Sequence, residues 1–301
     1  MNESVKALFS ILVFAAIVLA AGCQDLPSDQ VKPAIVKDIE EAGGRVTSVH
    51  AIGDFCFDSL GKELDQPVAV VCESEEVLNL VIDRRDELPM LSKFQLMSMH
   101  VSVQALKGLT DVAETKTLRF DRCTFEKHDG PTDQARSIGI GSLHLTRMSN
   151  EEIANALSLF DSSKLKILVL DGSSPSTAIA TNVSELENLK LLSLRVGESV
   201  SELVSEFRSN SIQALDLSDT IVDVEKLRLD NLHNLRHLNL RRTSLSADEI
   251  FSLVNDRNLQ NVFVDDEHVD SLRSRLENTE IHGNDMFVFR LLHEELSLIH
   301  I

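Results

Sequence analysis

Residues near the carboxy terminus come close to a zinc-protease motif without completing it. The stretch His293–Ser297 (HEELS) begins like H-E-x-x-H, but a serine stands where the second histidine is required. His233 and His237 are four residues apart, yet they flank the start of a predicted strand. That spacing does not bring two imidazoles to one metal ion, so we predict no metal site from these histidines.

Other sequence patterns for catalysis or cofactor binding are also incomplete. Gly139-Ile140-Gly141 lacks the third glycine of a dinucleotide-binding loop, and the chain contains neither a G-x-S-x-G elbow nor a P-loop. The acidic residues at 265, 266, 267 and 270 supply oxygen ligands for Ca²⁺, but their order differs from that of an EF-hand, which favours a solvated acidic edge. We therefore predict no catalytic residue, no cofactor and no metal.

The composition argues against several classes of binding protein. The net charge of −19 disfavours a nucleic-acid partner, because nucleic-acid binding depends on basic residues that neutralise phosphates. Aromatic residues make up 4% of the chain, with no Trp and no Tyr, although aromatic side chains commonly form the walls of ligand pockets and the platforms for single strands. A hydrophobic fraction of 43% is sufficient for a large core.

A short pattern recurs along most of the chain. In Leu235–Leu245 (LRHLNLRRTSL) the apolar spacing of 3, then 2, then 5 fits a short strand that buries two residues and then turns. The second buried strand residue, here called the pivot, recurs every 23 to 25 residues. The pivots are Leu96, Phe120, Leu145, Leu170, Leu194, Leu217, Leu240 and Val264, and each has an apolar residue two positions earlier. Such units need stacked copies to complete their core.

This pattern resembles that of the leucine-rich repeat family, whose motif is L-x-x-L-x-L-x-x-N-x-L with a period of about 20–29 residues. The resemblance implies an α/β fold, a leucine-rich repeat solenoid with a curved parallel β-sheet on its concave side and short helices on its convex side. It covers residues 91–270 closely. Residues 33–90 are then expected to form an amino-terminal cap with divergent repeats, and residues 271–301 a carboxy-terminal cap.

Local signals support short helices between the strands. Ser149-Asn150-Glu151-Glu152 and Ser246-Ala247-Asp248-Glu249 both read as S-x-x-E capping boxes ahead of apolar residues at helical spacing. The family's ninth motif position normally holds Asn. Here it holds Met99, Cys123, Met148, Ser173, Gly197, Thr220, Thr243 and Glu267. We expect the hydroxyl groups, and the Cys123 thiol, to bond locally there, whereas the methionines cannot donate.

Strand residues that point away from the core define a candidate binding face. Basic residues outnumber acidic ones at these positions and their flanks, although the whole chain is strongly acidic. We therefore predict that the concave face binds a protein or glycan partner of acidic character, unless Arg and Asp pair across neighbouring strands and neutralise each other. The predicted partner-binding residues are Arg119, Arg122, Arg147, Arg195, His237, Asn239, Arg241 and Arg242.

Residues 1–22 have the features of a signal peptide. Lys6 precedes an uncharged apolar run, 7–21, that is too short for a comfortable membrane span. The residues leading into Cys23 resemble a bacterial lipobox, although Leu19 stands one position earlier than the family prefers. This resemblance implies lipidation of Cys23, a tether over residues 23–32, and contact with the membrane only through the lipid. Ordinary secretion and an uncleaved anchor are the alternatives.

The same resemblance predicts where the protein resides. Lipoproteins retained at the inner membrane carry Asp after the lipidated Cys, whereas this chain has Gln24. We therefore expect an exported protein of the cell envelope, on the periplasmic side or as an outer-membrane lipoprotein. Of the remaining cysteines, Cys56 and Cys72 lie near the predicted amino-terminal cap and are candidates for a disulfide, while Cys123 is expected to be a buried thiol.

These observations favour an exported, lipid-anchored binding or scaffold protein. The chain leaves no separate catalytic domain once caps and repeats are assigned. Two alternatives stay open: an effector or enzyme subunit whose repeats recruit a substrate, and a purely structural protein of the envelope. The sequence predicts neither the identity of the ligand nor the oligomeric state.

Overall fold

A computed structural model describes residues 34–48, 67–89, 91–110, 117–126, 138–173 and 175–283 of this protein. The chain divides into two units, residues 1–34 and 35–301. The elements given below belong to the second unit, apart from Ala34 at the start of the first helix. The predicted signal peptide, Cys23 with its tether, Cys56 and the stretch His293–Ser297 lie outside the described residues.

Strands and helices alternate along the described part of the chain. The strands are β1 (Arg45–Ser48), β2 (Pro67–Cys72), β3 (Lys93–Met97), β4 (His100–Val101), β5 (Thr117–Asp121), β6 (Thr124–Phe125), β7 (Ser142–Thr146), β8 (Ile167–Asp171), β9 (Leu191–Arg195), β10 (Ala214–Asp216), β11 (His237–Asn239), β12 (Asn261–Phe263) and β13 (Glu280–His282). The α-helices are α1 (Ala34–Glu41), α2 (Glu75–Asp83), α3 (Val103–Thr110), α4 (Asn150–Leu159), α5 (Ala180–Ser184), α6 (Ser201–Glu206), α7 (Ala247–Val254) and α8 (Asp266–Arg273). Turns of 3₁₀-helix lie at Arg85–Glu87 and Thr177–Ile179. None of these helices has the length and apolar character needed to cross a bilayer.

Eleven of the described strands form one sheet in the order β1-β2-β3-β5-β7-β8-β9-β10-β11-β12-β13. The first pair, β1 with β2, is antiparallel, and each of the other neighbouring pairs in this sheet is parallel. Strands β4 and β6 form a separate short parallel pair. The predicted α/β class is therefore confirmed as a mixed α/β fold with a long, mostly parallel sheet.

The register of the sheet matches the register read from the sequence. Leu96 lies opposite Phe120, Phe120 opposite Leu145, and Leu145 opposite Leu170. The same register continues past residues 91–270 at both ends, where Cys72 pairs with Leu96 and Val262 pairs with Ile281. Cys72 thus occupies a pivot position, which explains why a cysteine side chain points into the core.

A single continuous core joins the pivots to the apolar residues of the helices. Helix α4 contributes Ile153 and Ala156, and helix α7 contributes Ile250 and Leu253. Burial of one such aliphatic side chain stabilises the fold by about 1.5–3 kcal/mol, and neighbouring repeats bury these side chains together in one core. We call the side of the sheet that packs on this core the first face, and the other side the second face.

Helix caps fix where the connecting helices begin. At α7, the Ser246 hydroxyl accepts the N–H of Glu249, and the Glu249 carboxylate accepts the N–H of Ser246, so the predicted capping box is confirmed. At α4, Ser149 caps Glu152 in the same way. The Glu152 carboxylate, however, accepts the backbone N–H of Phe125 at 2.9 Å, and so joins two repeats instead of closing the box.

The turn that follows each pivot except Val264 adopts a left-handed backbone conformation. Its φ values run from 53° to 70°, at Ser98, Arg122, Arg147, Gly172, Gly197, Asp219 and Arg242. Most of these backbone N–H groups donate to a carbonyl at the strand end or in the turn of the next repeat, as when Arg122 donates to Thr146 and Arg147 donates to Asp171. The interstrand ladder therefore continues beyond the strands into the turns. Five of the seven residues carry a Cβ in a region that favours glycine.

The left-handed turn gives a direct test of this ladder. Gly172 has φ of 59°, and a Cβ there would lie 3.1 Å from Cγ of Arg147. We expect Gly172→Ala to lower the free energy of unfolding by about 1 kcal/mol. The Cβ of alanine is strained in the left-handed conformation of the folded state, and this cost exceeds the stabilisation that alanine provides by reducing the backbone entropy of the unfolded chain. Urea denaturation followed by circular dichroism measures this change.

Gly139 supplies the matched control for that substitution. It is exposed, lies outside the left-handed region, and a Cβ there would make an ordinary contact of 3.4 Å with Lys164. Gly139→Ala should change the free energy of unfolding by less than about 0.5 kcal/mol. Equal effects at both positions would contradict the role assigned to the turn.

Candidate functional site

The second face of the sheet collects the strand residues that alternate with the pivots. Because the strands are parallel and in register, equivalent residues of successive repeats lie side by side in columns. Two rows border these columns. The exit row is the set of left-handed turn residues after the pivots, and the entry row is the set of residues directly before strands β8 to β12, namely Lys166, Lys190, Gln213, Arg236 and Gln260.

Arginines of the exit side are paired with aspartates of neighbouring repeats. The guanidinium of Arg147 donates twice to the Asp121 carboxylate, with Nε 2.8 Å from Oδ1, and Arg122 Nε lies 3.6 Å from the same atom. Arg195 lies 3.0 Å from the Asp171 carboxylate. The alternative that Arg and Asp pair across strands is therefore what the structure shows at these positions.

Arg242 makes a further pair of the same kind with Asp219. The hydrogen bond from Arg242 holds the pKa of Asp219 below its usual value and raises that of the guanidinium. The backbone N–H of Arg242 donates to the Asp265 carboxylate at 2.9 Å, so a side chain takes the place of the usual backbone acceptor. Reciprocal pairing of this kind neutralises most of the basic character predicted for the exit side.

The entry row has a different electrostatic character. Its members are joined by backbone hydrogen bonds, from Lys190 to Lys166 at 2.7 Å, from Gln213 to Lys190 and from Arg236 to Gln213 at 2.8 Å. Its charged members are all basic. Burial and then the positive charge of Lys190 lower the pKa of Lys166, as expected for neighbouring like charges. Arg236 also borders a cavity of about 290 Å³ whose lining includes His233.

Three residues predicted to be exposed for partner binding are buried. His237, Asn239 and Arg241 expose 8% or less of their surface, whereas Arg122, Arg147 and Arg242 are exposed as predicted. In the sheet register, His237 lies opposite Ala214 and Asn239 lies opposite Phe263. Both neighbours belong to a compact apolar cluster that is buried as well.

This second-face cluster is separate from the main core. It consists of Ile167, Val169, Leu191, Ala214 and Phe263. Each of these side chains exposes 5% or less of its surface. All five are strand residues, and the apolar residues of the described helices belong to the main core instead.

A polar group continues this surface across β9 to β11. The Ser193 hydroxyl donates to Asp216 at 2.9 Å, and the backbone N–H of Ser218 donates to the other carboxylate oxygen at 3.0 Å. Burial raises the pKa of Asp216 despite these hydrogen bonds. Beside it, Asn239 is fully buried, and its Nδ2 has no hydrogen-bond partner among the described residues. An unmade hydrogen bond at a buried amide costs about 1–3 kcal/mol, so this donor favours a polar acceptor on the second face.

Histidines complete the polar group at β11 to β13. The Asn261 amide links them, with Nδ2 3.0 Å from Nδ1 of His237 and Oδ1 2.7 Å from Nε2 of His282. The His282 ring stacks on Phe263 with centroids 4.8 Å apart. Burial, and then the charge of Arg236, lower the pKa of His237 from 6.5 to about 4. A neutral His237 ring accepts the hydrogen bond from Asn261, and protonation at Nδ1 would break it.

One serine–histidine contact also lies on the second face, without the features of a catalytic pair. The Ser142 hydroxyl is 3.1 Å from Nε2 of His144, but His144 stands opposite Arg119 in the sheet register. Within the described residues, no group of three or more His, Cys, Asp or Glu is placed to hold a metal ion.

The remaining cysteines have structural positions. Cys72 is a free, fully buried thiol, and burial raises its pKa to about 12, which makes it unreactive. The structure therefore gives no support to a disulfide between Cys72 and Cys56, the latter lying outside the described residues. Cys123 is also a free buried thiol, and its Sγ lies 3.3 Å from the carbonyl of Leu96 in the preceding repeat.

The ninth motif position behaves as expected where hydroxyl groups are present. Thr220 and Thr243 donate to carbonyls of their own repeats, and Ser173 accepts the N–H of Met148.

A second set of side chains, which joins neighbouring repeats, was not predicted from the sequence. Before the strands, Asn188 Nδ2 donates to the Ser163 carbonyl and Asn234 Nδ2 donates to that of Asn210. The recurring Asn-Leu dipeptide at 188, 234 and 258 was the signal for this set.

Comparison with known proteins adds no assignment. The chain matches no protein-family model, and it has no match among curated proteins. The second face thus combines a largely paired exit row, a basic entry row and, between them, a buried surface on which the Asn239 amide has no hydrogen-bond partner among the described residues.

The titration of His237 gives a pH dependence with a definite sign. Because the pKa of the folded state, about 4, lies below the ordinary 6.5, the unfolded chain binds a proton first as the pH falls. This contribution to stability is present above pH 6.5 and is lost between about pH 6.5 and 4. As the pH falls over this range, the free energy of unfolding should decrease more in the wild type than in His237→Gln, by at most about 3 kcal/mol. Urea denaturation at pH 7, 5.5 and 4.5 measures this difference.

His233, an exposed histidine of the neighbouring connection, is the control. The change in pH profile caused by His237→Gln is compared with that caused by His233→Gln, which makes the same substitution at an exposed position. Parallel profiles for the wild type and His237→Gln would show that His237 is not held neutral by its surroundings.

Proposed function

We propose that this chain is a leucine-rich repeat solenoid that acts as a binding module, with the second face as its concave recognition surface. The in-register strands, one every 23 to 25 residues over the regular part, support this assignment. Consecutive strands of the sheet are spatial neighbours, which is the connectivity that stacked repeats require. Columns of equivalent side chains then present a rigid, extended surface, as repeat proteins use for binding.

The observation that carries the proposed partner chemistry is that every charged member of the entry row is basic. Exit-row arginines meet aspartates within hydrogen-bond distance, whereas the entry row places Lys166 next to Lys190, with Arg236 two strands away. Mutual repulsion of like charges is relieved when an acidic group binds between them. The proposed partner is therefore a protein surface rich in Asp and Glu, which approaches along the entry row.

The net charge of the chain strengthens this preference. With −19 on the whole molecule, a basic row is a local exception, and it orients an acidic partner toward one edge of the sheet. Attraction of this kind affects association rates by about 10–10³-fold and weakens as salt is added. A glycan that carries carboxylates satisfies the same chemistry and is the second partner to be considered.

The proposed location follows from the amino-terminal segment. An apolar run of signal-peptide length followed by Cys23 supports export, lipidation of that thiol and anchoring in the cell envelope. A polar tether would then hold the repeats near the membrane without insertion of the repeats themselves.

One observation favours a purely structural role instead. The paired exit row uses its charges within the protein, as expected of a rigid scaffold with no partner on that edge. Substitutions in the entry row distinguish the two roles. They weaken binding if a partner uses the entry row, and they leave binding unchanged if the role is purely structural.

Charge reversal in the entry row tests the proposed binding function. We expect Arg236→Glu to reduce covalent capture of specific partners by about tenfold, because the substitution places an acid where the acidic partner is attracted. The measurement is crosslinking in the native envelope, followed by mass spectrometry of captured proteins and glycans.

The matched control is Arg228→Glu, which makes the same charge change at an exposed residue of the connection between β10 and β11. Partners that are lost with Arg236→Glu and kept with Arg228→Glu support recognition at the entry row. If both variants keep the same partners as the wild type, the entry row does not recognise them.

Lipidation of Cys23 has its own test. Metabolic labelling with a fatty acid that carries an alkyne should modify the wild-type chain and leave Cys23→Ser unlabelled and released from the membrane fraction. The buried Cys72 provides the control, since Cys72→Ser should keep both the label and the membrane association. A labelled Cys23→Ser chain would contradict the proposed anchor.

A further inference from the structure

A cavity of about 490 Å³ lies between helices α5 and α6. Its lining consists of Thr177, Ala180, Thr181, Ser184, Glu206 and Arg208. The two helices bury Val183 and Leu203 in the main core, so the cavity lies on the first-face side of the sheet, away from the second-face cluster. Its volume is within the range of about 300–1,000 Å³ that is typical of small-molecule sites.

Two successive repeats contribute the lining, each through its local structure. Residues 177, 180, 181 and 184 have a helical spacing of 3, 1 and 3, so they share one face of the 3₁₀ turn and of the α5 helix that follows it. In the next repeat α6 ends at Glu206, and Phe207 continues in an extended conformation with its side chain fully buried. Glu206 and Arg208 flank this buried residue, and both are exposed.

Hydrogen bonds to the backbone fix the orientation of Arg208. Its own backbone N–H donates to the Ser184 hydroxyl at 3.1 Å, which joins the two repeats at the cavity. Its Nη1 donates to the carbonyls of Ser205 and Phe207, at 2.9 and 3.0 Å. The Nε and Nη2 groups have no acceptor among the described residues, so they remain available as donors to a ligand.

Other polar groups of the lining are also without partners in the described part of the chain. The Glu206 carboxylate forms neither a hydrogen bond nor an ion pair there, although Arg208 lines the same cavity. The hydroxyl groups of Thr177 and Thr181 likewise make no hydrogen bond within the described ranges. The cavity therefore offers a ligand one carboxylate, one guanidinium and two hydroxyl groups.

This set of groups favours one class of ligand. An anionic ligand would meet the carboxylate of Glu206 and a cationic one the guanidinium of Arg208, so a net charge of either sign is disfavoured. An apolar ligand would displace water and leave both charged groups without hydrogen bonds. A hydroxyl group satisfies both, because it donates to a carboxylate and accepts from a guanidinium. Several hydroxyl groups on one rigid ring are characteristic of sugars.

We propose that the cavity between α5 and α6 binds a neutral saccharide. One sugar hydroxyl donates to Glu206 and another accepts from Arg208, while Thr177 and Thr181 bond to further hydroxyls of the ring. The described lining contains no aromatic ring, so the affinity depends on hydrogen bonds and is modest, with a Kd of about 1 mM. This site is separate from the entry row and does not rest on the binding function proposed above.

Saturation-transfer difference NMR on the full chain tests this proposal, because the method detects weak ligands. The probes are four neutral disaccharides (maltose, cellobiose, lactose and N,N′-diacetylchitobiose) and two charged sugars (glucuronic acid and glucosamine). We expect at least one neutral disaccharide to bind with a Kd of about 1 mM. The charged sugars should bind at least about tenfold more weakly, because each meets a like charge in the cavity.

A substitution at Glu206 places the binding in this cavity. Glu206→Ala should weaken the binding at least about tenfold, because it removes an acceptor for the sugar hydroxyls. The matched control is Glu187→Ala, which removes an exposed carboxylate of the connection between β8 and β9 that does not line the cavity. The control should bind as the wild type does, and circular dichroism checks that both variants are folded.

A second variant keeps the test decisive if Glu206→Ala does not fold. Thr181→Val replaces an exposed hydroxyl by a methyl group and should weaken the binding by about fivefold. An unchanged affinity in this variant would contradict the assigned contact.

Three further results would overturn the proposal. They are the absence of binding by all four neutral disaccharides, a preference for either charged sugar, and equal affinities in Glu206→Ala and Glu187→Ala. None of these measurements involves the entry row, so they are independent of the crosslinking test with Arg236→Glu.

Discussion

The in-register stacking of parallel strands is the constraint on which the other features depend. Each repeat offers two apolar strand residues that are buried only because the next repeat lies against them, and the backbone ladder fixes their alignment. The ladder continues into the turns, where non-glycine residues such as Arg122 and Arg147 accept a left-handed backbone. The cost of that conformation, about 1–2 kcal/mol per residue, shows how strongly the stacked geometry determines the local one.

Stacking also decides the electrostatics, because it brings equivalent positions within about 5 Å of each other. When the same charged residue type recurs at one position of the repeat, like charges lie next to each other. The repulsion is avoided when the neighbouring repeat carries an opposite charge instead. The exit row has this arrangement in the pairs of Arg147 with Asp121 and Arg242 with Asp219. The entry row instead places Lys166 beside Lys190, and burial, followed by the charge of Lys190, lowers the pKa of Lys166. Position within the repeat, more than the number of charges, therefore separates the paired exit row from the basic entry row.

Burial of polar groups on the second face couples stability to pH in two opposite directions. Asp216 has a raised pKa, so its contribution favours the folded state at low pH and is lost as the pH rises through the folded-state pKa. His237 has a lowered pKa, so its contribution acts against the folded state as the pH falls from 6.5 toward 4. Both shifts arise chiefly from desolvation. The pKa values of these two residues therefore depend on the burial that they share with the neighbouring apolar cluster.

The sequence by itself determined the period and register of the strands from Leu91 onward and the side of each that packs on the main core, because alternation of apolar residues depends only on local geometry. It also determined two of the helix starts at Ser149 and Ser246, since the cap and its helix are adjacent in the chain. Only the tertiary structure decided which arginines are paired, because the distance from Arg147 to Asp121 depends on the turn and not on the repeat alone. It likewise decided that His237, Asn239 and Arg241 are buried, since their burial depends on what packs on the second face. Contacts between residues distant in the chain, which local patterns do not encode, account for the difference.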